Sequence, residues 1–162
     1  MDTRFVPAAT SARERGVMLL EVLVSLLIFS LGILAVVGLQ ATSVKLQSDA
    51  KYRADASYLA NQIVGFMWTD RGVNNVNLPN YQHRPAGGGA ACNPTGANSP
   101  NAATAGSNMK IWLDNVAAAL PGAASANQQI IVGAGNLVTV TVCWKTPQEA
   151  SWHNYMLTTA IN

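Results

Sequence analysis

The chain has 162 residues, enough for one domain with a hydrophobic core, and its ten Lys and Arg against eight Asp and Glu leave a net charge of +2. The charges thin out toward the C-terminus, because residues 72–162 contain only Arg84, Lys110, Asp114, Lys145 and Glu149. A nucleic-acid-binding protein needs a basic surface that neutralises phosphates, and this composition excludes such a surface. We therefore predict no nucleic-acid binding.

The first predicted element is a long apolar helix over residues 17–39. These 23 residues contain one charge, Glu21, and no proline. A helix of this length extends ~34 Å, enough to cross a hydrocarbon core of about 30 Å. A cleaved secretory signal has a shorter apolar core that is followed by a small-residue cleavage site, so we expect this segment to stay with the protein as a transmembrane helix.

Glu21 is the residue of this segment whose insertion into a membrane is energetically unfavourable. A carboxylate in the apolar phase either reaches the headgroups at the interface or is kept for a specific positive partner. Residues 17–39 contain no Lys, Arg or His, so the partner belongs to another molecule or is a newly made N-terminus. A cut between Gly16 and Val17 would make Glu21 the fifth residue of the product and put an α-amine at the start of its helix.

Positive charges lie on both sides of the segment, with Arg4, Arg13 and Arg15 before it and Lys45, Lys51 and Arg53 after it. Three positive charges lie on each side, so their number does not indicate how the helix is oriented in the membrane. The closeness of Arg13 and Arg15 to the apolar segment favours an N-terminus on the cytoplasmic side.

The motif "RG-VMLLE-VLVSLLIFSLGILAVVGLQ" resembles the class III signal of type IV prepilins and pseudopilins. It contains the basic leader, the glycine before the cut, the glutamate and the apolar helix of that signal. The following text, "GLQATSVKLQSDAKYRADASYLANQIVGFMW", is most similar to the minor pilins of the PilV-type pilus modification group. Position 17 is Val where the family usually has Phe or Met, and the leader is longer than in most major pilins.

This resemblance implies that residues 1–16 are a cytoplasmic leader, that a prepilin peptidase cuts between Gly16 and Val17, and that the Val17 amine is then methylated. It implies that Glu21 pairs with the amine of a neighbouring subunit and sets its register. It also implies that the helix loosens between Gly32 and Gly38 in the fibre, at a depth where major pilins often carry a helix breaker.

On the same basis we expect a minor type IV pilin, a structural subunit that takes part in initiation and assembly of the fibre and is not an enzyme. Its expected partners are the prepilin peptidase, other major and minor pilins, the inner-membrane assembly platform and membrane lipid, with no cofactor. It would span the inner membrane once, with a periplasmic C-terminal domain, and then join the fibre at or near the tip. The alternatives are a minor pseudopilin of a type II secretion system and a signal-anchored periplasmic protein.

The second half of the helix, residues 40–69, is predicted to be amphipathic. Apolar side chains recur at three- and four-residue steps, which defines one face of a 3.6-period helix: Tyr52, Ala56, Leu59, Ile63 and Phe66. We interpret this stripe as core packing against the globular domain over residues 70–162.

The rest of the chain predicts a small α+β domain. A loop rich in Asn, Gly, Pro and Ala covers residues 72–109, and a short helix follows from about Lys110 to Leu120, where Pro121 and Gly122 end it. "QQIIV" and "LVTVTVCW" read as strands of a hairpin joined by "GAGN", and "NYMLTTAI" reads as a third strand. The expected fold is pilin-like, with the long helix packed on a three- or four-stranded antiparallel sheet.

The two cysteines, Cys92 and Cys143, are either buried thiols or a disulfide. The compartment behind a membrane segment can be oxidising, which favours a disulfide that pins the long loop to the sheet. A zinc site made of these cysteines with His83 and His153 is disfavoured, because structural zinc ligands are normally paired closely in sequence. We predict no metal site and no catalytic residues, since no nucleophile or phosphate-loop motif occurs.

Overall fold

The computed structural model describes the backbone from Glu14 and the side chains from Gly16 to the C-terminus. Most of the predicted leader, residues 1–16, therefore lies outside the described residues. The first element is α1, Glu14–Asp70, which ends within two residues of the predicted boundary. The chain divides into two compact units, Met1–Gln47 and Ser48–Asn162. They are called here the N-terminal and the C-terminal unit.

In the N-terminal unit the described residues are all helical. Every side chain from Gly16 to Gln47 is exposed. Hydroxyl groups along this helix donate back to its own carbonyl oxygens, as Ser30 Oγ does to Leu26 at 2.7 Å and Thr42 Oγ1 to Leu39 at 2.9 Å. This back-bonding satisfies polar side chains on an otherwise apolar helix.

In the C-terminal unit, α1 contributes the face that the stripe predicts. Ala56, Leu59 and Ile63 are buried in the core, whereas Tyr52 is half-buried. The last turn differs in detail: the wholly buried residue is Met67, and the predicted Phe66 is half-buried. The core position moves by one residue because the residues three and four positions after Ile63 both lie near its face of the helix.

The predicted hairpin and third strand form one antiparallel sheet. Its strands are β3 (Gln129–Val132), β4 (Leu137–Trp144) and β5 (His153–Ala160), in the order β3–β4–β5. A separate two-stranded ribbon pairs β1 (Ala86–Gly88) with β2 (Asn93–Thr95). The α+β class, with a long helix packed on antiparallel sheets as in pilin-like folds, is confirmed.

The second helix is α2, Asn108–Ala119, close to the predicted short helix. Ser107 begins it, because its side-chain oxygen accepts a hydrogen bond from the backbone N–H of Lys110 at 3.1 Å. Its buried residues, Met109, Trp112, Leu113 and Val116, join the same core as the α1 stripe.

Strand β4 is buried on both faces along its second half. The alternating pattern predicts burial of Val138, Val140, Val142 and Trp144, and these four residues are buried. Thr141 and Cys143 on the opposite face are buried as well, because the segment that carries β1 and β2 lies over them. Gly89 makes this approach possible, since a Cβ atom there would collide with the side-chain oxygen of Gln129.

Candidate functional site

The candidate site at the N-terminal end of α1 consists of Gly16, Val17 and Glu21. All three are exposed on the helix. Val17 and Glu21 are four residues apart, a spacing that puts two side chains on the same helix face. The structure therefore places the predicted cleavage position and the predicted assembly residue one helical turn apart in the uncut chain.

The surface around this site is apolar. The most apolar 18-residue window of the helix has a mean hydropathy of 2.8, and none of that window is buried. Among the described residues this is the one helix long and apolar enough to cross a membrane. Exposed apolar area of this size is unfavourable in water and marks a membrane or protein contact. The helix is compatible with a single-pass membrane anchor.

Gly32 and Gly38 lie within the unbroken helix of the single chain. A Cβ atom at either position would meet nothing within 4 Å. Neither glycine is thus required by close packing in the isolated molecule. Each one still weakens the helix by about 1 kcal/mol relative to Ala.

The predicted disulfide joins Cys92 to Cys143, with Cα atoms 5.7 Å apart and a sequence separation of 51. Cys143 belongs to β4, whereas Cys92 adopts a left-handed conformation with φ of 59° just before β2. Both residues are buried. The bond holds the β1–β2 segment against the sheet face opposite α1 and α2, as the sequence predicts for the long loop.

His83 is a structural residue that sequence analysis considered only as a metal ligand. It is wholly buried, and its Nδ1 accepts a hydrogen bond from the backbone N–H of Ser99 at 3.1 Å. Its Nε2 lies 3.0 Å from the carbonyl oxygen of Ser125 and donates to it, which defines the neutral ring. Burial lowers the pKa of His83 below its ordinary value of 6.5, and the nearby charge of Arg84 acts in the same direction.

The other members of the hypothetical zinc set are also engaged. Both cysteine sulfurs are in the disulfide. The His153 ring stacks on Trp144 with centroids 5.6 Å apart, and its Nε2 pairs with the carboxylate of Glu149. The two cysteines are thus bonded to each other, and the two histidines have separate structural partners. Sequence analysis missed the structural role of His83. The two ring nitrogens of a histidine can each bind a backbone group, and His83 joins two loops in this way.

Comparison of the chain with protein-family models, with curated proteins and with solved structures finds no match.

Proposed function

We propose that the chain is a minor type IV pilin, a structural subunit that is inserted in the inner membrane, cut after Gly16 and assembled into a fibre. One observation carries this proposal: Glu21 is the single charge in the exposed apolar segment 17–39 and follows Gly16 by five positions. A structural anchor alone would not need an acid there.

The acid has a physical role in assembly. A carboxylate inside a membrane costs about 2.5–3.5 kcal/mol on insertion scales, and less near the interface. Cleavage creates a positive amine on Val17, and a neighbouring subunit can bring its amine to Glu21 where headgroups are absent. Because the pairing is available only between subunits, it favours the assembled state and sets the relative height of the helices.

The C-terminal unit supports a structural role in the periplasm and the fibre. Its disulfide fits an oxidising compartment. From residue 72 onward it contains few charged residues and many uncharged polar ones, which suits packing beside other major and minor pilins. We propose no catalytic activity and no cofactor. The further partners are the prepilin peptidase, the inner-membrane assembly platform and membrane lipid.

Loosening of the helix between Gly32 and Gly38 in the fibre belongs to the same proposal. The free chain is helical there, and neither glycine is held by a neighbour. Two helix-weakening residues six positions apart lower the cost of local unwinding once fibre contacts favour it.

The test is the N-terminus of the mature protein, measured by mass spectrometry of protein from cells with and without the prepilin peptidase. We expect a chain that starts at Val17 and carries one added methyl group, and an intact leader without the peptidase. Gly16→Leu should block cutting, whereas Gly32→Leu is the matched control and should be cut normally. A mature chain that begins elsewhere would contradict the proposal and would favour a signal-anchored periplasmic protein.

The same test does not separate a pilus from a type II secretion pseudopilus, because both use the Gly16 and Glu21 signal. Immunoblots of sheared fibres make that distinction. We expect the protein in pili of a strain that lacks the secretion system. Its absence from those pili would favour the pseudopilin.

A further inference from the structure

His83 joins two loops of the C-terminal unit through its two ring nitrogens. Its Nδ1 accepts a hydrogen bond from the backbone N–H of Ser99 at 3.1 Å, and its Nε2 donates to the carbonyl oxygen of Ser125 at 3.0 Å. The residue is wholly buried, and its backbone exchanges hydrogen bonds of 3.0 and 2.9 Å with Ile130 of β3. The ring is therefore fixed in a position where one nitrogen must accept and the other must donate.

Residues 98–106, called here the Ser99 loop, are attached to the rest of the C-terminal unit through this contact. Ser99 is the one buried residue among them. Its N–H bonds to His83, and its hydroxyl donates to the carbonyl oxygen of Asn80. Ala102 adds a partial apolar contact with the core. Both hydrogen bonds depend on Ser99 lying beside the ring.

The two ends of the Ser99 loop are held separately. Before the loop, the carbonyl oxygen of Ala97 accepts a hydrogen bond from the N–H of Arg84 at 2.8 Å, and the guanidinium of Arg84 lies 3.5 Å from Asn98 Oδ1. After the loop, Ser107 caps α2. The middle of the loop can therefore detach while its ends stay in place.

A proton on the ring affects its two partners differently. A histidinium donates from both nitrogens. Its Nε2 keeps the hydrogen bond to the Ser125 carbonyl oxygen, but its Nδ1 proton points at the N–H of Ser99. Two donors cannot bond to each other, so protonation breaks the contact with Ser99 and preserves the contact with Ser125.

The surroundings of the ring supply no other pH-sensitive partner for the loop. Residues 96–107, β3 and the segment Ser125–Asn127 contain no charged side chain. Arg84 is the charged group that acts on the ring among the described residues, and it opposes a second positive charge. Tyr81 directs its hydroxyl to Asp70 at 2.9 Å. The response of the Ser99 loop to pH therefore depends on the imidazole.

We propose that His83 is an acid-sensitive latch, whose protonation releases the Ser99 loop and leaves the Ser125 segment bound. The release is local, since the backbone bonds between His83 and Ile130 do not involve the ring. It changes the surface that the C-terminal unit presents at the start of α2. The latch uses only residues of that unit and does not depend on the proposed function.

The expected size of the effect follows from proton linkage. With the loop closed, burial lowers the pKa of His83 below 6.5, and the charge of Arg84 acts in the same direction. With the loop open, the ring titrates closer to its ordinary pKa of about 6.5. The closed state is therefore favoured above this pH and loses stability below it. Acidification to pH 5.5 should raise the ratio of open to closed loop by up to about tenfold.

Hydrogen exchange of the full chain in detergent tests the latch. The rate at the Ser99 amide, resolved by fragmentation of its peptide and corrected for the intrinsic effect of pH, is compared at pH 7.5 and pH 5.5. We expect exchange at pH 5.5 to be faster by up to about tenfold. Low concentrations of urea should leave this rate unchanged while they accelerate exchange in β4, because a local opening exposes little surface.

Two substitutions separate the roles of the two nitrogens. In His83→Asn the amide oxygen is attached to Cγ, as Nδ1 is, and can accept from Ser99 without titrating. In His83→Gln the amide lies one bond further out, near the position of Nε2, and Ser99 is left without an acceptor. We expect slow exchange at Ser99 at both pH values in the Asn variant and fast exchange at both in the Gln variant. His153→Gln is the matched control and should respond to pH as wild type does.

A wild-type Ser99 rate that is the same at both pH values would overturn the proposal, as would an Asn variant that keeps the wild-type response. Equal urea dependence at Ser99 and in β4 would show that the loop opens only when the whole unit unfolds, and would also overturn it. The N–H of Gln128 bonds to the Ser125 carbonyl oxygen at 3.2 Å. A greater acid effect at Gln128 than at Ser99 would mean that the other segment is released, which contradicts the latch.

Discussion

The indole Nε1 of Trp112 donates a hydrogen bond of 2.8 Å to the backbone carbonyl oxygen of Leu59. The bond joins α2 to the part of α1 that belongs to the C-terminal unit, and both residues are buried in the same core. A helix carbonyl normally accepts only the i+4 amide, so Leu59 uses its second lone pair for the indole. The two helices are thus held together by a polar contact as well as by apolar packing.

Trp112→Phe should lower the free energy of unfolding by about 1–3 kcal/mol, because it removes this hydrogen bond and leaves a void where the larger ring stood. Urea unfolding of the full chain in detergent, followed by circular dichroism, measures the change. Trp68→Phe is the matched control, since Trp68 is 42% exposed. It should stay within about 0.5 kcal/mol of wild type. Equal losses in both variants would show that the Trp112 bond carries no particular stability.

The disulfide should supply a large part of the stability of the C-terminal unit. The loop-entropy relation gives about 4 kcal/mol for a closed loop of ~50 residues, and natural bonds in small domains contribute about 2–5 kcal/mol. The double variant Cys92→Ser with Cys143→Ser should lose that amount in urea unfolding, and reductant should have no further effect on it. Labelling of both cysteines in native, unreduced wild type would show that the bond is absent.

His83 should make the C-terminal unit less stable in acid. Because burial lowers the pKa of His83 in the folded protein, the unfolded chain binds a proton more readily. The stability from the neutral ring is complete above the unfolded pKa of about 6.5 and is lost as pH falls through the folded pKa. A proton on Nδ1 would also face the Ser99 N–H donor.

The measurement is the urea midpoint of the full chain between pH 7.5 and pH 5.5. Wild type should lose stability on acidification, and His83→Gln should lose less. At pH 7.5 this variant should be less stable than wild type, because the buried ring that bonds to Ser99 and Ser125 is gone. His153→Gln is the matched control and should keep the acid dependence, since His153 is paired with Glu149 and lies outside the buried cross-link. A wild-type midpoint that is flat over this range would contradict the role of His83.

Glu21→Gln tests the assembly role. The amide keeps the size and hydrogen bonding of the carboxylate but cannot form an ion pair with a Val17 amine. We expect peptidase cleavage and membrane insertion to stay near wild type, and incorporation into pili to fall. Immunoblots of sheared pili and of membrane fractions measure both quantities. Ser25→Ala, one turn further along the exposed helix, is the control and should enter fibres normally. Wild-type incorporation of the Gln variant would leave the placement of Glu21 unexplained.

Local hydrophobic periodicity is sufficient to predict the helices and strands of this protein. The α1 stripe, the GAGN hairpin and the β5 strand are each encoded by side chains that are close in sequence, and each was predicted at its position within a few residues. The prediction of Glu21 as a site residue also depends on sequence alone, because one carboxylate in the apolar segment 17–39 is unusual whatever the fold. An oxidising compartment favours a disulfide, but the sequence also allows two buried thiols. The structure decides between them, because it joins Cys92 to Cys143.

Tertiary structure decided what depends on contacts between distant segments. The burial of Thr141 and Cys143 contradicts simple alternation, because the segment that carries β1 and β2 covers that face and is bonded to it by a disulfide with a sequence separation of 51. His83 became a loop cross-link only when Ser99 and Ser125 were brought to its two nitrogens. The place of β5 at the edge of the sheet likewise depends on strand order, which the sequence does not define. Hydrophobic periodicity determines which face each strand buries, and only the assembled sheet determines which strand lies at its edge.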